Sequence, residues 1–446
     1  MTTAARRALV AAMAAGAGLA AGCAGGRFLA APSPHEDYSA MLQKAGIDRT
    51  ALGQDWNRAG QQALSRPVAV ATPFRETGYF PPEEAGAIAY RLELQRGRRL
   101  AVDVAFESSA PARLFVDLFR ATGEPTPQRV AFLEADQSSL VYDAERDGAY
   151  LLRIQPELLR GGRFTLTQRT LATVRFPVPG LTTAAVQSLF GAARDAGARQ
   201  HEGVDIFAAR GTAVVAVVDG VARASTNGLG GNVVWLQQPG SGRTFYYAHL
   251  DRQAVGGMAR VTEGEVVGYV GNSGNARGTS PHLHFGIYEH GPVDPLPFLR
   301  PDDAVPPPPP ARDDLGDLVR VTAARTPLRA GPAADQPQVA QLARHAPGRL
   351  LGATAGWLRV SMPDGAAGYI RADAAGPADR PIRRQRLAAR SLLRERPLDT
   401  APVVEELQPD ANVEVVGRFA DYELMRSPSG RTGWVSAGPA AGAGGR

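Results

Sequence analysis

Between residues 67 and 170, apolar and polar positions alternate in short runs. Examples are Tyr90-Arg91-Leu92-Glu93-Leu94, Leu100-Ala101-Val102-Asp103-Val104 and Leu114 to Phe119, then Gly148 to Ile154 and Phe164 to Thr167. Period-two alternation puts one set of side chains on each face of a strand, and Gly/Pro turns separate the runs. This predicts an antiparallel β-sandwich. Upstream the period changes. Tyr38, Met41, Leu42 and Ala45 share one helical face, and Leu52, Trp56 and Ala59 share another, with Gly46 and Gly53 as punctuation. Two short helices are expected over residues 37–65.

Of the five histidines in the next segment, 171–300, four stand out, and the chain has seven in all. They fall in three pieces: His201-Glu202-Gly203-Val204-Asp205, Tyr247-Ala248-His249-Leu250 and His282-Leu283-His284-Phe285. Phe285, Ile287 and Tyr288 make the last piece a strand. Residues two apart in a strand face the same way, so His282 and His284 present two imidazoles side by side. Val204, Ile206 and Phe207 mark another strand beginning near Asp205. Extended residues four apart lie about 13 Å from each other. A Zn²⁺ ion holds N and O ligands at about 2.0–2.2 Å. His201 and Asp205 can therefore share a metal only if the chain bends between them, and Gly203 is the residue that permits it. The common helical His-Glu-x-x-His zinc signature is absent, because Asp205 occupies the fifth position. Glu202 is left without a role, as are His35, His290 and His345.

Pro306 to Pro310 form a stiff, extended spacer. Beyond it the chain repeats itself. Leu328-Arg329-Ala330-Gly331-Pro332 answers Leu393 to Pro397, Trp357 to Val360 answers Tyr422 to Met425, and Gly368-Tyr369-Ile370 answers Gly433-Trp434-Val435. A period of about 65 residues suits a small barrel better than a solenoid. The last ten residues, 437–446, are Gly/Ala-rich and expected to lack order.

Composition narrows the chemistry. Cys23 is the single cysteine, so an internal disulfide and a Cys-rich metal site are both excluded. Any metal must rely on His, Asp and Glu. The net charge of +5 suits anionic partners such as wall polymers. No basic run is interleaved with aromatics, which argues against nucleic acid. Arg6 and Arg7 followed by the apolar run Ala8 to Ala21 form a secretory signal. That run is too short to span a bilayer, which needs about 20 residues.

Several stretches resemble known families. Leu19-Ala20-Ala21-Gly22-Cys23 resembles a bacterial lipobox, with Ala20 standing where that family usually has Leu. The resemblance implies cleavage before Cys23 and a lipid anchor on it. With Ala24 following, it implies an outer-membrane lipoprotein facing the periplasm in a Gram-negative host. The two repeats resemble bacterial SH3-like domains, which often bind cell wall, and residues 67–170 resemble the β-sandwiches beside secreted proteases. Residues 171–300 resemble the lysostaphin-type (LytM-like) zinc metallopeptidases, which carry His-x-x-x-Asp, a downstream His, and His-x-His on a strand. Asn227 to Asn232 and Gly271 to Gly274 look like that family's loops. Carried over, the resemblance implies one Zn²⁺ held by His201, Asp205 and His284, with His249 and His282 as the catalytic pair. It does not say which of the pair is the base.

The expected architecture is thus mainly β and multidomain. It runs as a signal (1–22), a lipid-anchored tether with short helices (23–66), a β-sandwich (67–170), a peptidase core (171–300), a Pro-rich linker (301–315) and two SH3-like barrels (316–378 and 382–440). The expected activity is zinc-dependent hydrolysis of peptidoglycan peptides, and the bond cleaved is left open. The rival expectation is a non-catalytic scaffold or activator of another wall hydrolase.

Overall fold

The computed structural model describes residues 31–437. Cys23, the signal and the extreme C-terminus lie outside the described residues. The chain is mainly β and multidomain, and no helix among the described residues is long and apolar enough to cross a membrane.

Two helices open the described chain. Ser33 caps the first, Pro34–Lys44, through a reciprocal capping box with Glu36, and Thr50 caps the second, Ala51–Ser65. Trp56 is buried and its indole donates to the Pro156 carbonyl at 2.9 Å. His35 stacks on Trp56 and hydrogen-bonds Gln155 at 2.9 Å, which docks the helices on the sandwich.

The sandwich pairs two antiparallel layers. In one, Ile88–Leu94, Gly148–Pro156, Leu114–Arg120 and Gln128–Phe132 lie side by side. In the other the order is Phe74–Phe80, Gly162–Ala172, Arg98–Glu107 and Ser139–Asp143. Leu92, Leu100, Val102, Leu152, Ile154, Phe164 and Leu166 fill the space between them.

Residues 171–300 form a larger sheet and a smaller one. Across the larger sheet the order is Val186–Ser188, Val204–Phe207, His282–Tyr288, Thr244–Leu250, Gly231–Gln237, Gly220–Asn227 and Met258–Val261. The three-stranded sheet (Ala213–Val215, Val266–Tyr269, Arg252–Gln253) packs over one face, and both contribute to a single apolar core. The other face of the larger sheet is left for the site.

Both C-terminal repeats are small β-barrels with matching strands. Pro347–Thr354, Trp357–Ser361 and Ala367–Arg371 in the first answer Asn412–Phe419, Tyr422–Arg426 and Thr432–Ser436 in the second, at the offset of about 65 residues. The first barrel is not a separate bead. Its strand Pro347–Thr354 pairs with the sandwich edge strand Phe74–Phe80 through Thr77 opposite Ala353 and Gly78 opposite Gly352. Glu76, fully buried, accepts from Arg359 Nε at 2.7 Å and from the Tyr369 hydroxyl at 2.6 Å. The segment expected to hold domains apart is also tied down. Asp303 accepts from the Thr170 amide at 2.7 Å, Asp302 from the Ala172 amide at 2.8 Å, and the Arg312 carbonyl from Arg163 at 2.7 Å. A polyproline stretch has no internal hydrogen bonds of its own, so its flanks are free to bond the neighbouring sheet.

Candidate functional site

The antiparallel register of Val204–Phe207 with His282–Tyr288 sets Asp205 opposite His284 and Ile206 opposite Leu283. Alternation then sends Val204, Ile206, Leu283 and Phe285 into the core, and Asp205, His282 and His284 to the open face. Directly opposed residues have Cβ atoms about 4.5–5.5 Å apart, close enough for short side chains to meet. Asp205 Oδ1 lies 3.1 Å from His284 Nδ1. His201, just before the strand, brings Nε2 to 3.0 Å from Asp205 Oδ1 and 2.9 Å from His284 Nδ1. For metal–ligand bonds of about 2.0 Å the tetrahedral edge is roughly 3.3 Å, so this donor triangle fits a Zn²⁺-sized ion closely.

The bend that lets His201 return to Asp205 occurs at Gly203, but glycine is needed there for space. Its φ is not in the left-handed region. A Cβ would fall 2.5 Å from the Phe285 carbonyl oxygen and 2.9 Å from the His284 ring.

His249 reaches the same face by a different device. Phe245 and Tyr247 enter the core, and strict alternation would bury His249 with them. Instead its φ is +62°, rare for a residue with a Cβ, beside a register irregularity against Gly231–Gln237. The ring turns outward to 5.1 Å from His282 and 5.9 Å from His284, and Leu250 takes the core position.

Three imidazoles have their tautomers fixed. Nδ1 lies 2.9 Å from a carbonyl oxygen in each: Leu189 for His201, Ser273 for His249 and Ser280 for His282. A carbonyl only accepts, so Nδ1 carries the proton and Nε2 of the neutral ring keeps its lone pair. Burial would raise the Asp205 pKa, but the adjoining His201 and His284 rings outweigh it and hold the carboxyl well below the usual range. Burial pushes His284 down, against Asp205. Burial, helped by the neighbouring His284 and His282 rings, pushes His249 down to about 4.

Sequence reasoning missed Arg194. Its Nη2 donates to Asp205 Oδ2 and to Ser188 Oγ, each at 2.6 Å, so Oδ2 is occupied and Oδ1 is left facing the two imidazoles. It lies in a stretch without strand or helix periodicity, and only its charge hinted at a role. Glu202, given none, accepts from the Tyr288 hydroxyl at 3.3 Å.

All five singled-out residues line one cleft of about 560 Å³, together with Tyr246 and Tyr288. A larger hollow of about 1070 Å³ between the Pro-rich segment and the two barrels has no histidine in its walls. Among the described residues, His201, Asp205 and His284 form the one His/Cys/Asp/Glu group close enough to share a metal.

The chain's similarities follow this geometry. The model for peptidase family M23 matches residues 199–295, spanning all five. The chain carries an M23 peptidase domain. A bacterial SH3 domain model matches residues 322–374, within the first barrel. The chain is 36% identical over 107 residues to the glycyl-glycine endopeptidase ALE-1 of Staphylococcus capitis, covering 22% of this chain and 29% of that protein. It is 37% identical over 139 residues to the L-Ala–D-Glu endopeptidase of Bacillus subtilis, covering 28% of this chain and 42% of that protein. It is 36% identical over 94 residues to the peptidoglycan DD-endopeptidase ShyC of Vibrio cholerae, covering 21% of each. The chain thus spans less than half the length of these relatives. Among solved structures, LytU is 30% identical, covering 26% of this chain and 83% of that one at a TM-score of 0.24.

Proposed function

We propose that this protein is a zinc-dependent endopeptidase that hydrolyses peptides of bacterial peptidoglycan. The observation that carries the reading is the convergence of His201 Nε2, Asp205 Oδ1 and His284 Nδ1 beside two imidazoles with locked tautomers. His201, Asp205 and His284 are assigned as the ligands of one Zn²⁺. Three protein ligands suit a catalytic site, which keeps a position open. Zinc bound there supplies Lewis-acid polarisation of a carbonyl and acidification of water.

The protein's own groups supply the rest. His249 and His282 face the cleft with free Nε2 atoms. Amide hydrolysis needs a proton taken from the attacking water and one delivered to the leaving amine, and imidazoles do both near neutral pH. One takes the water's proton on Nε2, and the other must carry a proton on Nε2 to hold the developing oxyanion. Arg194 fixes Asp205 so that a single oxygen faces the metal position. A scaffold would need none of these five residues, and the chain keeps all of them. The substrate class follows from relatives named for peptidoglycan endopeptidase activity. The barrels are proposed to hold the enzyme on the wall, and a lipid on Cys23 to hold it at the envelope membrane.

The test is digestion of purified, cross-linked peptidoglycan by the mature chain, with a chelated sample alongside. Splitting of dimers into monomers, lost on chelation and restored by zinc, is expected. A zinc-loaded protein that releases nothing from any wall chemotype would sink the reading.

A further inference from the structure

The open face of the peptidase sheet does not end at the metal cluster. One step further along the strands, Tyr246 lies opposite both Gly286 and Trp235, and Trp235 lies opposite Arg223. Ring centroids are 4.2 Å apart for Trp235–Tyr246 and 5.6 Å for Trp235–Tyr288, and Tyr246 sits 5.9 Å from His284. An aromatic floor therefore begins against a metal-cluster histidine and runs away from it. The exposed face of an antiparallel sheet is ordinarily polar. Here Trp235 and Tyr288 remain part-exposed, and both Tyr246 and Tyr288 line the cleft. Gly286 keeps the floor low between the two tyrosines, since a Cβ there would come 3.1 Å from the Tyr288 ring. Polar groups rim it: the Glu202 carboxylate on the Tyr288 hydroxyl, and exposed Arg223 beside Trp235.

We infer that this floor is a saccharide subsite, holding the amino sugar from which the cleaved peptide hangs. The inference rests on the peptidase reading. A pyranose ring presents a face of C–H bonds that packs on aromatic faces. Its hydroxyl and amide groups project around the edge, where they require charged or polar partners. Glu202 and Arg223 are placed to supply an acceptor and a donor. An aliphatic peptide side chain would use neither. Spacing agrees with the assignment. Tyr288 is four residues along the strand from His284, about 13 Å. A four-residue extended peptide spans about the same length. A bond at the far end of a four-residue stem then lies at the metal while the sugar lies over Trp235 and Tyr288.

The test compares cross-linked dimers that keep their disaccharides with the same dimers after an amidase has stripped the sugars, using the full mature chain. The sugar-bearing dimer is expected to show a KM about tenfold lower. Trp235→Leu and, separately, the exposed Glu202→Gln should shrink that difference, with zinc content and thermal unfolding measured for both variants to show that they fold. A second arm titrates the metal-free chain with each ligand and follows tryptophan fluorescence. Quenching by the sugar-bearing form alone supports the subsite even if neither dimer is cut, a result that would count against the peptidase reading only. Equal KM values and equal quenching for the two ligands would overturn the subsite. So would equal losses on both substrates in Trp235→Leu, which would make the aromatics mere support for the sheet.

Discussion

Arg194 offers a sharp test of how the metal site is held. Its guanidinium donates to Asp205 Oδ2 at 2.6 Å and reaches Ser188 Oγ, which itself lies 3.4 Å from His201 Nδ1. Replacing it by Gln removes the charge and the shared Nη2 donor. Asp205 is then free to rotate and to lose its fixed single-oxygen presentation. Loss of an outer-shell partner commonly costs about 10–100-fold in metal affinity, roughly 1.4–2.7 kcal/mol. The Arg194 side chain is 34% exposed, so solvent screens the pair and the expected loss sits at the low end. We expect Arg194→Gln to bind zinc about tenfold more weakly and Arg194→Lys, which keeps the charge, to fall between. Competition against a chromogenic chelator at fixed pH measures this without any turnover. Zinc affinity unchanged in Arg194→Gln would refute the reasoning and leave the contact as an incidental surface ion pair.

Three further outcomes follow from named contacts. Gly203→Ala should lose zinc while remaining folded, because its Cβ would collide with the Phe285 carbonyl and the His284 ring; metal analysis beside circular dichroism checks it, and full zinc occupancy would contradict it. Arg359→Met strands the fully buried Glu76 carboxylate and should cost about 3–5 kcal/mol in denaturant unfolding. The double variant Glu76→Leu/Arg359→Met should regain most of that, and a single-variant loss under about 1 kcal/mol would show the pair to be weak. Finally, His249 is held at about 4, so its neutral, proton-accepting form persists as pH falls to that value and is lost below it. The midpoint of its ring titration, followed by NMR, should therefore lie below the ordinary imidazole value of about 6.5, and a midpoint at or above it would contradict this.

The clustering of these residues was legible in the sequence because its parts are local. His201 to Asp205 and His282 to His284 are short-range patterns, and strand alternation alone puts His282 and His284 on one face. The repeat near 65 residues was legible for the same reason. What escaped is what depends on distant partners or on broken alternation. Glu76 occupies an alternating strand position, and nothing near it announces that Arg359, 283 residues later, will neutralise it in the core. The joining of the sandwich edge to the first barrel was equally invisible, since an edge strand and a central strand share one pattern. His249 was found as a motif, but alternation alone would have sent it inward. Only its left-handed backbone carries it to the cleft. Gly203 was identified for conformational freedom and proves to be required for close packing instead.

Of the five residues, three are assigned as ligands and two as proton-handling imidazoles. Zinc stoichiometry of single alanine variants, by elemental analysis after dialysis, tests that division most directly. His201→Ala, Asp205→Ala and His284→Ala should each lose the ion, while His249→Ala and His282→Ala should each retain one per chain and lose wall-cleaving activity. Zinc retained by Asp205→Ala, or lost from His249→Ala, would contradict the account.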